Sequence, residues 1–183
     1  MMPFHERLLR AVQLDPAVYE EVESDEEALG QAMAVVVAAS LAAGIGTGGG
    51  GGLVPVIIAT LAALVGWVLW AVLAWLIGTK LLPGPNTEAD IGQLLRTTGF
   101  SAAPGLLRVV GMIEALRGIV FLAAGVWMLA AMVVAVRSAL DYEGNGRAIA
   151  VCAVGFLAQA AVLLIVVLTL GPAPETPQPA PAP

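Results

Sequence analysis

The sequence predicts an all-α, polytopic membrane protein: a bundle of about five transmembrane helices with a short amphipathic N-terminal region. Three observations predict it. Residues 28–79 carry no formally charged side chain, and neither do 118–136 or 148–170. A helix of a soluble domain needs a polar face toward water, and these stretches have none. Each is long enough for one or two bilayer crossings, at about 20 apolar residues apiece. Composition agrees, with 59% hydrophobic and 12% charged residues and a mean hydropathy of +0.91. The 183 residues suit one bundle rather than two domains. A net charge of -6 offers no basic footprint for nucleic acid. The single cysteine, Cys152, excludes an internal disulfide. The first apolar run opens near Leu29 behind a cluster of acids, unlike the basic leader of a secretory signal.

Residues 1–27 form the N-terminal region. Phe4, Leu8, Ala11 and Val12 share one helical face, with Glu6, Arg7, Arg10 and Gln13 on the others. Such a helix either lies among lipid headgroups or packs on the protein's own bundle, and the pattern leaves both open. Asp15-Pro16 restarts the chain, Asp as N-cap and Pro in the first turn. Ser24-Asp25-Glu26-Glu27 reads as a capping box with Ser24 as cap, so the first membrane helix is expected from about Asp25. The expected spans within 28–170 are 28–46, 54–77, 98–115, 118–138 and 148–170. The glycine run 48–52 makes the first loop. Trp75 fits the aromatic belt of a membrane, whereas Trp67 is placed to pack between helices. Pro83-Gly84-Pro85-Asn86 is a turn, and Thr87 to Asp90 reads as a second capping box. Gly144-Asn145-Gly146 turns the chain between the last two spans. The proline-rich end, 171–183, reads as a disordered tail.

The third span carries the weakest signal. Ile91, Leu94, Leu95 and Thr98 share a helical face, but Gly99 and Pro104 then interrupt the pattern, and Arg108 lies beyond them. A lone arginine at the bilayer centre costs about 2.5–3.5 kcal/mol on the insertion scale. A crossing therefore needs Arg108 beyond the midplane, its stem snorkelling toward the outer headgroups. Five crossings with the N-terminus inside put Arg7, Arg10, Lys80, Arg96, Arg137 and Arg147 in the cytoplasm, and Arg108 and Arg117 outside. A third segment that dips and returns exchanges those two for Arg137 and Arg147 and leaves the tally unchanged. Charge thus places the N-terminus in the cytoplasm, and five crossings place the C-terminus outside it.

Few motifs point to chemistry. Gly44-Ile45-Gly46-Thr47-Gly48-Gly49 matches a dinucleotide-binding pattern without its βαβ setting or its downstream acid. Ser40, Gly44 and Gly48, with Ala59/Ala63 and Ala62/Gly66, have small-xxx-small spacing, read as packing inside the bundle before a dimer surface. Ser101 and Cys152 lack a base at depth, because the only histidine, His5, precedes every span. Arg108 and Gln159 are the notable polar residues within the spans. The acids from Asp15 to Glu27 are spaced as solvated helix starts rather than as a metal site, with a basic cytoplasmic partner as second reading.

Phe4–Glu23 (FHERLLRAVQLDPAVYEEVE), Ile77–Leu82 (IGTKLL), Leu94–Met112 (LLRTTGFSAAPGLLRVVGM) and Val136–Val151 (VRSALDYEGNGRAIAV) together resemble the bacterial branch of the Yip family, the Ypt/Rab-interacting membrane proteins. The resemblance covers residues 4 to about 170 and implies five helical spans with a cytoplasmic N-terminus. Eukaryotic members associate with Rab-type GTPases and with one another in vesicle traffic. Their Asp-Leu-Tyr-Gly-Pro motif is not in this sequence, so that role is not carried over. The expected function is a multi-pass cell-membrane protein acting as a non-enzymatic scaffold or interaction module, with no catalytic residue, cofactor or metal. Arg96, Pro104, Arg108, Arg137 and Arg147 are the candidate contact residues. The expected partners are the bilayer, an anionic lipid, a membrane protein or a second copy of the chain, and no nucleic acid. The alternative is a small transporter or permeability factor built on Arg108 and the broken third helix.

Overall fold

The computed structural model describes residues 2–48 and 52–170, so most of the glycine loop and the proline-rich end lie outside the described residues. Among the described residues there are helices and no strand. Two short helices, α1 (Phe4–Val12) and α2 (Pro16–Ser24), form a hairpin. Leu14 turns it with a left-handed φ of 61°, and Asp15 caps α2 by accepting the Ala17 N–H at 3.0 Å. The long helices follow: α3 (Ala28–Gly46), α4 (Leu53–Leu76), α6 (Arg117–Ala139) and α7 (Asn145–Leu170). α5 (Ile91–Phe100) and a 3-10 helix (Ala103–Met112) stand where the third span was expected.

The two expected capping boxes do not form in place. The Ser24 hydroxyl donates to the carbonyls of Glu20 and Glu21, at 3.2 and 3.0 Å, and so closes α2 instead of opening α3. Asp25 accepts the Glu27 N–H at 3.0 Å in the turn that follows, and α3 begins at Ala28 without a side-chain cap. The second box sits three residues late. Asp90 accepts the Gln93 N–H at 2.9 Å while the Gln93 side chain accepts the Asp90 N–H at 2.7 Å. Thr87 is engaged otherwise, donating to the Leu140 carbonyl at 2.8 Å.

Among the described residues, four helical stretches are long and apolar enough to cross a membrane: Ala28–Gly46, Leu53–Leu81, Glu114–Ala139 and Asn145–Thr169. Their burial pattern is that of a lipid-solvated bundle. Small residues face inward, Ala32 and Ala39 on α3, Ala71 and Ala74 on α4, Ala131 and Ala135 on α6. Large apolar residues face outward, with Leu61, Val65, Leu122 and Leu157 all more than half exposed. In water such a surface would be a gross liability, whereas in lipid small residues let helix backbones approach closely. Of the residues with small-xxx-small spacing, Ser40 bonds Thr60 across the α3–α4 seam at 3.3 Å, whereas Gly48, Ala59 and Ala62 are exposed.

The third segment is the exception to helical regularity. Its helix ends at Phe100, just after Gly99, and Pro104 enters the 3-10 stretch near its start. Ten residues of 3-10 helix reach about 20 Å, against about 15 Å for an α-helix. Glycines record its course along α3. A methyl on Gly99 would lie 2.7 Å from the Ala32 Cβ, one on Gly105 3.2 Å from the Ala39 Cβ, and one on Gly46 would overlap the Arg108 carbonyl. The two segments therefore run side by side in the same direction, from the level of Ala32 to that of Gly46. Neighbouring contacts close a ring in the order α3, 3-10 helix, α6, α7, α4 and back to α3, and α5 contacts α3, α4 and α6.

Candidate functional site

Two places in this architecture gather polar chemistry. The first is the end of the bundle near α2, α5 and the α6–α7 turn, where pieces distant in sequence are joined by polar bonds. Arg96 on α5 donates from Nε to the carbonyls of Val22 and Glu23, both at 3.1 Å, and its Nη2 also binds the Glu23 carbonyl. These are the carbonyls a helix leaves unpaired at its C-terminus, so Arg96 caps α2 across space. Gln93 donates to the Glu23 carboxylate at 3.1 Å. Tyr142 donates to the Leu82 carbonyl at 2.6 Å and fastens the π-helical turn Ile77–Leu81 that ends α4. Arg7 is fully buried, contacting Glu21 at 2.8 Å, Asp25 at 2.7 Å and Gln31 at 3.1 Å.

The carboxyls at this end are tuned in opposite directions. Arg7 holds Asp25 below the ordinary carboxylate range. Glu21 also lies low, because the Met2 N–H and Arg7 outweigh its partial burial. Glu23 is pushed up to about 7, first by burial and then by Asp141 and Glu20, with Arg96 opposing. Exposed around these buried groups are Glu20, Glu26, Glu88, Asp90, Asp141, Glu143, Lys80 and Arg147.

The second place is a partly open cavity of about 400 Å3 between α3, α4, α5, the 3-10 helix, α6 and α7. Its polar lining comes from Ser40, Thr98, Ser101, Arg108 and Gln159, and its apolar walls include Trp67, Trp70 and Phe156. Trp67 donates to the Thr98 hydroxyl at 3.2 Å. Ser101 donates to the Thr98 carbonyl at 2.7 Å, and Ser40 to Thr60. Arg108 Nε is buried without a hydrogen-bond partner, and its guanidinium lies 5.6 Å from the Phe121 ring centroid.

The five candidate residues thus separate. Arg96 is buried and bound to backbone, not presented to a partner, because the open carbonyls of α2 lie within its reach. Arg108 lines the cavity and is half-buried, and its carbonyl lies against Gly46 at the end of α3, beyond the middle of that helix as expected. Pro104 is buried within the third segment. Arg137 bonds the Asn145 side chain at 3.3 Å and Arg147 is exposed, so these two remain at the surface of the α6–α7 turn. Sequence reading missed the burial of Arg7, since its partners lie on α2, at Asp25 and on α3. Its position four residues before the apolar Ala11 was the available signal. α1 itself packs on the bundle, with Phe4 edge-on to Phe100 and the Trp127 indole donating to the Val12 carbonyl at 2.8 Å. Trp67 does pack between helices, whereas the Trp75 indole donates to the Ala89 carbonyl at 2.9 Å. Among the described residues no group of three or more His, Cys, Asp or Glu is placed to hold a metal ion.

Apolar spans with inward small residues and outward large ones define a multi-pass helical membrane protein. The Yip1 domain family model matches residues 11–167, and the chain belongs to that family. Comparison with curated proteins and with solved structures finds no match.

Proposed function

We propose that this Yip-domain protein is a non-enzymatic membrane scaffold whose contact surface is the charged end formed by α2, α5 and the α6–α7 turn. The observation that carries the reading is the set of bonds from Arg96 to the α2 carbonyls, from Thr87 to Leu140 and from Tyr142 to Leu82. They hold three chain segments in one fixed arrangement and leave Arg147, Glu143 and Asp141 exposed upon it. A preorganised charged surface loses little entropy on meeting a partner. We place this end in the cytoplasm by the distribution of basic residues. We also take the third segment as a full crossing. What supports this is its course beside α3, from Ala32 near the start of that helix to Gly46 at its end.

The test is crosslinking in native membranes followed by co-purification, comparing wild type with an Arg137→Ala/Arg147→Ala double variant. Arg96 is left intact because its loss would unseat α2. Loss of a crosslinked protein or anionic lipid from the variant supports the scaffold, and an unchanged partner and lipid profile counts against it. The cavity beside Arg108 favours a second reading, solute transfer across the bilayer. Flux in liposomes that Arg108→Gln abolishes, with folding retained, would support that reading instead.

A further inference from the structure

The cavity contains an electrostatic imbalance that the scaffold reading does not use. No Asp or Glu lines it, yet Arg108 does, with its Nε buried and unbonded. Arg108 as a whole is half-buried, but a guanidinium set against apolar walls within a bilayer still calls for an anion or acceptors. The Phe121 ring offers only a weak quadrupole at 5.6 Å. The hydroxyls of Ser101 and Thr98 donate to backbone carbonyls, and neither accepts from Arg108 Nε. Gln159 on α7 adds an amide to the same cavity. The rest of the wall is apolar, with Trp67, Trp70 and Phe156 facing Met128 and Met132.

We propose that this cavity binds a single-chain anionic amphiphile, with a carboxylate or phosphate head on Arg108 and an alkyl chain along Trp67, Trp70 and Phe156. The charge requirement comes from Arg108 and the chain requirement from the aromatic and methionine walls. A small inorganic anion would satisfy the first and leave the walls unfilled. Size sets the chain number. A cavity of about 400 Å3 holds roughly 13 groups of water size at about 30 Å3 each, which is room between its walls for one short alkyl chain. Such ligands are at hand, because the ring of segments sits in lipid.

The proposal is tested on the purified full chain in dodecyl maltoside micelles. The probe is a terminally brominated decanoate, which fits the size of the cavity and quenches tryptophan at short range, and Trp67 and Trp70 line the cavity. The acid should quench saturably, and its uncharged methyl ester should bind at least tenfold more weakly. Arg108→Gln should weaken the acid at least tenfold, while Arg108→Lys retains most of the binding. Equal binding of acid and ester, or quenching that rises without saturation as in annular lipid, overturns the proposal. Displacement of the acid by an equal concentration of inorganic phosphate also overturns it, assigning the site to a small anion. Should Arg108→Gln fail to fold, the acid and ester comparison on the wild-type chain decides alone.

Discussion

Arginines occur at both the charged end and the cavity, Arg7 and Arg96 buried and Arg108 half-buried, and their surroundings differ. Arg7 and Arg96 meet carboxylates, an amide and helix-end carbonyls. Arg108 meets an aromatic ring and open space. Burial alone therefore does not define a cation's role. Where the protein supplies every partner, the arginine ties helices together. Where it supplies none, the arginine awaits a counter-charge from outside the chain. A buried ion pair broken by removing one member costs about 3–5 kcal/mol, because the surviving charge is stranded. Removing a cation that has no partner strands nothing.

The largest expected effect comes from that contrast. Arg7→Met leaves Glu21 and Asp25 without their cation and should destabilise the N-terminal hairpin by roughly 3–5 kcal/mol. Arg108→Met, of similar volume, should leave stability within about 1 kcal/mol of wild type or raise it. Thermal unfolding in detergent, with protease cleavage near residues 13–15 as the local readout, measures both. Equal losses would erase the distinction between the two regions.

A smaller effect is expected where the end of α3 meets the 3-10 helix. Gly46→Ala places a methyl where the Arg108 carbonyl lies, so the 3-10 helix must move away from α3. Overpacking of this kind costs about 1–3 kcal/mol. Gly30→Ala, where nothing lies within 4 Å, is the matched control and should be neutral or slightly stabilising.

The smallest effect is a pH dependence confined to the charged end. Burial and nearby acids raise Glu23 to about 7 in the folded protein, against an ordinary value of 4.5. The folded state then binds the proton more tightly than the unfolded chain between those values. The stabilisation is complete below about 4.5 and is lost as pH rises through about 7. After allowance for solvent screening it amounts to roughly 1–2 kcal/mol. Unfolding temperatures at pH 5 and pH 8 should show the decline, and Glu23→Gln should flatten this part of it. An unchanged slope in that variant would mean that other groups carry the dependence.

Much of the architecture was legible because bilayer solvation writes itself into composition. The uncharged runs 28–79, 118–136 and 148–170 marked the four long helices, and Gly99 with Pro104 marked the break in the third segment. Capping was legible in kind and not in place. Ser24 and Thr87 matched the pattern, but each bonds a carbonyl instead, and the neighbouring Asp25 and Asp90 accept the N–H groups. The fates of the arginines were hidden for a different reason. Arg96 finds its acceptors more than 70 positions away on α2, and no local periodicity encodes such a meeting. The cavity was hidden likewise, since Ser40, Trp67, Arg108 and Gln159 come from four different segments. The sequence singled out Arg108 and Gln159 as polar residues within the spans, and only the closed ring of segments brings them to one space.

The whole topology rests on the third segment crossing the membrane beside α3, so that the turns near Gly84 and Gly144 share one side. Single cysteines at positions 84, 116 and 144 in a Cys152→Ser background, labelled from either side of sealed vesicles, test this. With a full crossing, 84 and 144 react from the cytoplasmic side and 116 from the opposite side. Reaction of 84 and 116 from the same side, with 144 opposite, would mean that the segment dips and returns, and would contradict the crossing.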